Sequence, residues 1–255
     1  MSADSPAVGL VTAGTGGIGR AVTEELLTRG VVDRLVVVDV SEPTAPLPAG
    51  ADFRQCDLRD PGRLAELVAG LPTELSVLVN VLGGERRPPV VPVDDVAWPP
   101  PEVWDDIIDL NVSAAYRLMR ALAGRLAPGA AVCNVSSIAA AMPWAVSPAY
   151  GAAKAALEHW SSSLAVLLAP RAVRVNLVRP GFVWSRQWAA VDRAEFERVV
   201  ADRVVLREAP PHTSREQTAA DIAAAVAFLC SADARHVTGQ AINVDGGATL
   251  VRAAR

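Results

Sequence analysis

The stretch VGLVTAGTGGIG at positions 8–19 opens the segment that decides the fold of this chain of 255 residues. The apolar run Val8–Val11 predicts a strand, and the apolar period from about Ile18 to Arg29 predicts a helix. A β-branched run follows and ends at Asp39, which completes a βαβ unit. Strand and helix patterns keep alternating beyond it. The sequence therefore predicts one α/β domain over residues 1–255, built on a doubly wound parallel sheet of about seven strands with helices on both faces.

The glycines between the first strand and the first helix indicate a nucleotide site. They are Gly14, Gly16, Gly17 and Gly19. Glycines at such a turn let backbone N–H groups approach a pyrophosphate at the helix N-terminus, although glycine turns also serve plain packing. Asp39 lies 20 residues after Gly19, where a carboxylate binds a ribose diol. In this setting the pattern favours a bound dinucleotide.

Asp39 also bears on which dinucleotide binds. A carboxylate at this place accepts hydrogen bonds from the two ribose hydroxyls of NAD and repels the 2′-phosphate of NADP. Position 16 holds glycine rather than a basic residue that would bind that phosphate. NAD(H) is therefore favoured over NADP(H), and Arg20 is the residue that could weaken this preference.

The stretch SIAAAMPWAVSPAYGAAK at 137–154 carries the candidate chemistry. Of 24 basic residues 23 are arginine, so Lys154 is the only lysine, and it lies four residues after one of just two tyrosines, Tyr150. This spacing puts both side chains on one face of a helix. An ammonium near a phenol can lower the phenol pKa to about 7, which would make Tyr150 a general acid and base. Ser137 could hold the same substrate oxygen; the alternative is a chance pair on a solvated helix.

Charge and composition limit the possible partners. The net charge is −4 and the pI is about 5.5, which argues against nucleic acid or an anionic membrane. No apolar run reaches the length of a membrane span, and residues 1–7 do not resemble a signal peptide, so a cytoplasmic protein is expected. Three cysteines, Cys56, Cys133 and Cys230, are odd in number and far apart, so no disulfide framework and no metal site is predicted.

Three further segments are predicted to form a loop, a lid and a subunit interface. Prolines over 83–101 predict a stiff loop, whose Glu85-Arg86-Arg87 triplet could meet an acidic substrate or simply be solvated. A charged stretch within about 183–215 predicts a mobile substrate lid. The helix that continues after Lys154 as AALEHWSSSLAVLLA is apolar around much of its circumference, which predicts a subunit interface and a homodimer or homotetramer.

Several motifs together resemble one protein family. They are TAGTGGIG at 12–19, Asp57-Leu58, NVLGG at 80–84, Asn111, NVSS at 134–137, YGAAK at 150–154, Pro180-Gly181 and VTGQAINVDGG at 237–247. From about Val8 to Gly247 the chain resembles the short-chain dehydrogenase/reductase family in its shorter, single-domain form. The resemblance implies a Rossmann-type fold.

The resemblance also implies roles for individual residues. The catalytic tetrad would be Asn111, Ser137, Tyr150 and Lys154, with a water of the proton relay held by Asn111 and the nicotinamide ribose bound by Lys154. Spacing alone leaves open whether Asp57 contacts adenine or caps its own loop; the resemblance implies adenine. The implied cofactor-binding set is Thr12, Gly14, Thr15, Gly16, Gly17, Ile18, Gly19, Asp39, Asp57, Leu58, Asn80, Tyr150, Lys154, Pro180, Gly181, Val183 and Ser185, with the backbone of Val183 facing the carboxamide.

The chain departs from the family pattern at three places. Ala13 stands where the family has its first glycine, so binding should survive while the turn changes shape. Val81 and Leu82 put bulk beside the cofactor, where the family has Asn-Ala-Gly after the fourth strand. Ser185 replaces a frequent threonine and keeps the hydroxyl. None of these changes removes a catalytic group.

The substrate is the least defined part of the prediction. The family pocket segments here hold Met142, Trp144, Trp184 and Trp188, which suggest an apolar or ring-bearing alcohol or ketone, although these side chains could equally be hinge packing. The predicted function is an NAD(H)-dependent oxidoreductase that interconverts a secondary alcohol and a ketone. Two alternatives remain, a lyase or epimerase that uses bound NAD without net redox change, and a nonenzymatic dinucleotide sensor.

Overall fold

A single parallel sheet of seven strands organises the fold. The computed structural model describes residues 6–85, 100–142, 147–185, 188, 191–206 and 216–250. The strand order is β3-β2-β1-β4-β5-β6-β7, and every pairing is parallel. The strands are β1 (Val8–Thr12), β2 (Arg34–Asp39), β3 (Ala51–Gln55), β4 (Leu75–Asn80), β5 (Leu126–Val135), β6 (Arg174–Pro180) and β7 (Ala241–Val244). The predicted doubly wound parallel sheet is confirmed.

Helices cover both faces of this sheet. They are α1 (Gly17–Thr28), α2 (Pro61–Ala69), α3 (Pro101–Ile108), α4 (Ala114–Leu122), α5 (Pro148–Leu168), α6 (Arg193–Arg203) and α7 (Ala219–Cys230). One buried cluster joins the sheet to α1 and α7, and a second joins it to α2, α4 and α5. Because both sheet faces are covered, the strands are near-continuous apolar runs rather than alternating ones.

The topology determines where a ligand can bind. The order of the strands reverses between β1 and β4, which pair side by side although β2 and β3 lie between them in sequence. Open α/β sheets bind ligands at the carboxyl ends of the strands beside such a reversal. Thr12, Asp39, Asn80 and Val135 are the last residues of their strands, so they lie at this edge.

Some boundaries differ from the sequence-based ones. β5 begins at Leu126, before the most apolar run at residues 131–135, because Leu126 already pairs with Leu75 of β4. A π-helical segment at Asp109–Ser113 separates α3 from α4 in what the sequence pattern alone shows as one helical stretch. The predicted lid contains α6, whose Phe196 is fully buried. Most of the predicted proline-rich loop and part of the predicted lid lie outside the described residues.

Two expected absences can be compared with the described part of the chain. No helix there is long and apolar enough to cross a membrane. Within the same ranges, no group of histidine, cysteine or acidic side chains has a geometry that could hold a metal ion. The three cysteines are buried free thiols.

Candidate active site

The glycine turn after β1 leaves the start of α1 open. Ala13 and Gly17 have positive φ angles of 51° and 52°, so the backbone turns sharply twice before the helix. Gly19 needs to be glycine, since a Cβ there would lie 2.0 Å from the carbonyl oxygen of Ala13. Gly16 caps α1 without any side-chain hydrogen bond, and the space around Gly17 is empty. The first N–H groups of α1 are thus left for an anion.

Asp39 is hydrogen-bonded to this turn and is buried. One carboxylate oxygen accepts hydrogen bonds from the hydroxyl (2.7 Å) and the backbone N–H (3.2 Å) of Thr15. The other accepts the N–H of Ser41 at 3.2 Å. Asp39 is only 7% exposed. A carboxylate has about four acceptor positions, so capacity for a ribose hydroxyl remains.

Arg20 is engaged in fixing a neighbouring loop. Its guanidinium pairs with Glu24 at 2.9 Å and donates to the carbonyls of Ala45 (3.1 Å) and Pro46 (2.8 Å). These bonds attach α1 to the segment that follows β2. A phosphate at this place would therefore have to compete for Arg20 with three existing partners.

The predicted catalytic pair is buried next to the glycine turn. Tyr150 and Lys154 belong to the first turns of α5 and are 6% and 2% exposed. The Lys154 ammonium lies 5.7 Å from the centroid of the Tyr150 ring and donates to the carbonyl of Val135 at 3.0 Å. Ser137, at the end of β5, faces the phenol and favours its ionised form by hydrogen bonding. The structure thus brings all three side chains to one cleft.

The pKa expected for the tyrosine is wrong. The pKa of Tyr150 is raised to about 12, chiefly by burial; the hydrogen bond with Ser137 acts to lower it and the Glu85 carboxylate to raise it. Burial also lowers the pKa of Lys154 to about 8, against which Glu158 acts. The sequence-based argument counted the attraction between ammonium and phenolate but not the cost of burying either charge. At neutral pH Tyr150 is therefore protonated in this structure.

Asn111 fixes the backbone that follows β4. Its side-chain amide donates to the carbonyls of Gly84 (3.0 Å) and Ile107 (2.9 Å), and its oxygen accepts the N–H of Gly84 at 3.0 Å. Asn111 lies within the π-helical segment, a feature often found at functional sites. These bonds hold Gly83 against the active site. That Asn111 also holds a water of the proton relay stays a prediction.

A polar network behind Lys154 was missed from the sequence. Glu158 accepts a hydrogen bond from Ser136 at 2.6 Å and two from the guanidinium of Arg179, at 2.7 and 2.5 Å. Glu158 is four residues after Lys154, so the helical spacing already placed both on one face. The network connects α5 to the ends of β5 and β6.

The remaining residues of the implied cofactor set lie along the same sheet edge. Pro180, Gly181, Val183 and Ser185 line the cleft together with Ile18. Thr12 accepts the N–H groups of Val81 and Leu82, at 3.0 and 3.1 Å, which holds the end of β4 beside β1.

Asp57, Leu58 and Asn80 have structural partners of their own. Asp57 accepts the N–H of Arg59 at 2.9 Å and pairs with its guanidinium, so it does cap its own loop. Leu58 packs in the core. Asn80 donates to Asn134 at 2.7 Å, while its buried oxygen has no hydrogen-bond partner among the described residues. Their contacts with a cofactor stay predictions.

Three of the four aromatic and methionine side chains expected around the substrate pack around one residue, Phe196. Trp188 lines the cleft. Met142 is buried in a cluster with Phe196, and Trp184 packs edge-on against Phe196 and under Arg193, outside the described cleft lining. These two side chains therefore fit the hinge-packing alternative. Trp144 lies outside the described residues.

Glu85, like the network around Glu158, contributes to the site in a way that the sequence did not predict. It accepts a hydrogen bond of 2.5 Å from the hydroxyl of Ser147, whose oxygen in turn accepts the N–H of Tyr150 at 3.4 Å as the N-cap of α5. It is half-buried, so the solvated interpretation is wrong for Glu85. The Ser147-Pro148 pair, a typical helix start, was the available signal.

The residues present fit a bound dinucleotide. The uncapped N-terminus of α1 offers donors to a pyrophosphate, and Asp39 lies at the end of the adjacent strand. The cleft with Tyr150 and Lys154 opens on the same edge. Fold and site together are those expected of a Rossmann-type oxidoreductase, with Tyr150 and Lys154 as the candidate catalytic pair.

Comparison with known proteins agrees with this class of protein. The family model described as "Enoyl-(Acyl carrier protein) reductase" matches residues 12–249. The chain is 34% identical, over 98% of its length and 100% of the relative, to a Streptomyces violaceoruber protein named as ketoacyl reductase 2 of the granaticin polyketide synthase. It is 30% identical, over 96% of its length and 98% of the relative, to a 3-oxoacyl-[acyl-carrier-protein] reductase of Salmonella typhimurium. A short chain dehydrogenase family protein from Francisella tularensis shares the fold with a TM-score of 0.81 at 23% identity, over 97% and 100% of the two chains.

The chain belongs to the short-chain dehydrogenase/reductase family. It is accordingly an oxidoreductase that acts on CH–OH or keto groups and uses a nicotinamide dinucleotide.

Proposed function

We propose that this protein is an NAD(H)-dependent oxidoreductase that interconverts a ketone and a secondary alcohol on a small, largely apolar substrate. The observation that carries the proposal is the common cleft of Tyr150, Ser137 and Lys154 beside the open start of α1. Because burial raises the pKa of Tyr150 to about 12, the phenol is protonated at neutral pH and can donate its proton to a ketone oxygen.

Each side chain has a distinct task in this proposal. The cofactor, when bound, supplies or accepts the hydride. Tyr150 donates its phenolic proton to the carbonyl oxygen, and Ser137 steadies that oxygen by a hydrogen bond. Lys154 orients the ribose and stabilises the phenolate that remains. Asn111 keeps the backbone at Gly83 and Gly84 in place beside them and would hold a water of the relay.

Asp39 supports the preference for NAD(H). Its carboxylate is fixed at the end of β2 by Thr15 and Ser41, where a 2′-phosphate would be repelled. Arg20, the residue that could accept that phosphate, already has three partners.

The cleft lining supports an apolar substrate. Outside the implied cofactor set, the lining includes the apolar side chains of Val81, Val135, Ile138, Phe182 and Trp188. The two named relatives are ketoacyl and 3-oxoacyl reductases, so 3-ketoacyl thioesters and cyclic or aromatic ketones are the first compounds to screen.

Exposed apolar side chains support assembly into a homodimer or homotetramer. On α5, Val166 and Leu167 are 75% and 72% exposed, and Tyr116 of the adjacent α4 is 48% exposed. A helix that is apolar on a second face gains stability by burying it against another copy. Sedimentation analysis of the wild type and of Val166→Glu checks this proposal.

The test of function is NADH consumption with a panel of ketones. Tyr150→Phe should abolish turnover while NADH binding persists, and Tyr116→Phe, the change at the only other tyrosine, should leave turnover intact. Substrate conversion without net NADH consumption would favour the lyase or epimerase. Dinucleotide binding without any conversion would favour the sensor.

A further inference from the structure

We propose that Glu85 is a positioning residue of the active site, which fixes the first turn of the Tyr150 helix through Ser147 and sets the pH range in which Tyr150 works. The pH part of this proposal deepens the proposed function, since it concerns the same tyrosine. Glu85 comes from the segment after β4 and lies two residues beyond Gly83, which lines the cleft.

Glu85 contacts the start of α5 through Ser147. The Ser147 hydroxyl accepts the N–H of Tyr150 and donates its own proton to Glu85. A serine at the N-cap has one proton to give, so a carboxylate acceptor fixes the direction in which the hydroxyl points. A negative charge is also favourable at the positive end of a helix dipole. Glu85 therefore attaches the catalytic helix to the end of the central sheet.

Glu85 also acts electrostatically on Tyr150. The Glu85 carboxylate raises the pKa of Tyr150 in addition to burial, because a nearby negative charge opposes formation of the phenolate. Ser137 acts in the opposite direction through a hydrogen bond, so the pH dependence of the phenol is set between two residues from the segments that follow β4 and β5. Removing the charge at Glu85 should make Tyr150 easier to ionise.

The other charged groups around the phenol do not replace this effect. Lys154 lies 5.7 Å from the Tyr150 ring centroid, and Glu158 acts on Lys154. On α3, which also packs against α5, Glu102 and Asp105 are exposed and Asp106 pairs with Arg59. Among these acids, Glu85 is the one whose charge acts on Tyr150.

Two variants distinguish the hydrogen bond between Ser147 and Glu85 from the effect of the negative charge of Glu85. Glu85→Gln retains an oxygen that can accept the Ser147 proton but has no charge, and Glu85→Ala has neither. In ketone reduction, activity falls as Tyr150 loses its proton, at a pH above the Lys154 pKa of about 8, so Glu85→Gln should move this upper alkaline limb of log kcat to lower pH by up to about one unit, while the limb that belongs to Lys154 stays in place. Glu85→Ala should additionally lower kcat about tenfold or more with little change in KM, because the first turn of α5 is displaced. Glu85→Asp should restore the wild-type limb, and Glu74→Gln, at an exposed glutamate, should change nothing.

A second measurement needs no substrate. In the Tyr116→Phe background Tyr150 is the only tyrosine, so tyrosinate absorbance reports its ionisation directly. The fraction ionised is compared at the highest pH at which circular dichroism remains native. A larger fraction in Glu85→Gln than in the parent supports the proposal, and an equal or smaller fraction overturns it. If no variant reduces any ketone, the proposed function fails while this absorbance comparison still decides the role of Glu85.

Discussion

Gly83 and Lys154 lie so close that a methyl group on Gly83 would be 2.7 Å from the Lys154 ammonium. The same methyl would be 2.6 Å from the side-chain oxygen of Asn111. The φ angle of Gly83 is 153°, which a residue with a side chain rarely adopts. The backbone after β4 thus forms one wall of the active site, and a side chain at this position has no room.

Gly83→Ala is therefore expected to lower kcat/KM about a hundredfold, because Lys154 or Asn111 must move by a large part of an ångström. Steady-state kinetics of ketone reduction measures it. The matched control is Gly84→Ala, where a Cβ would meet nothing within 4 Å, and which should keep most of the activity. Equal activity of the two variants would contradict the close approach at Gly83.

Lys154→Met is expected to inactivate the enzyme and yet stabilise the fold at neutral pH. The Lys154 pKa is about 8 in the folded protein against a usual value of 10.5, so the buried charge disfavours folding at every pH below about 8. This cost disappears as the pH rises from 8 towards 10.5. We expect a gain of about 1–3 kcal/mol in the free energy of unfolding at pH 7. The gain should shrink at pH 10.

Denaturant unfolding of both proteins at the two pH values measures this difference. A loss of stability at pH 7 would mean that the hydrogen bond from Lys154 to Val135 outweighs the cost of burying the charge.

Ala13→Gly is expected to raise the free energy of unfolding by about 1 kcal/mol, because alanine at a φ of 51° pays a steric cost that glycine avoids. The control is Ala21→Gly in α1, where the same exchange should cost about 1 kcal/mol. Thermal or denaturant unfolding compares them. Destabilisation by both changes would show that Ala13 is not strained.

Asp39→Ala is expected to narrow the preference for NADH over NADPH about tenfold, since the carboxylate that repels the 2′-phosphate is lost. It should also lower the melting temperature, because Thr15 and Ser41 lose their acceptor. Calorimetric titration of both cofactors measures the first effect. Asp52→Ala, at an acid of β3 whose side chain is half exposed, should leave the preference as it is. If the wild type binds NADPH more tightly, the argument from Asp39 fails.

The order of the elements and the site-bearing motifs could be predicted from the sequence because local signals carry them. The turn after Thr12 and the Tyr150–Lys154 spacing are such signals, since each depends on residues within one or two turns of chain. What could not be predicted depends on contacts between distant segments. The bond from Ser147 to Glu85 joins residues 62 apart, and Asn111 reaches Gly84 across 27 residues.

The wrong prediction of the Tyr150 pKa has a different origin. Its spacing from Lys154 shows that the two side chains meet, but the cost of burial depends on how many other elements cover them. That coverage comes from the whole fold, and here it raises the pKa of the phenol rather than lowering it. Local pattern thus predicts which side chains share a cleft better than it predicts their protonation.

A lone buried lysine has a practical consequence. Because Lys154 is the chain's single side-chain amine and is only 2% exposed, an amine-reactive probe has one internal target, which it reaches through the active-site cleft. With a pKa of about 8, much of that amine is uncharged and nucleophilic in mildly alkaline buffer. Labelling at this one position, read by peptide mass spectrometry so that it is separated from the N-terminal amine, would count the active sites that remain accessible.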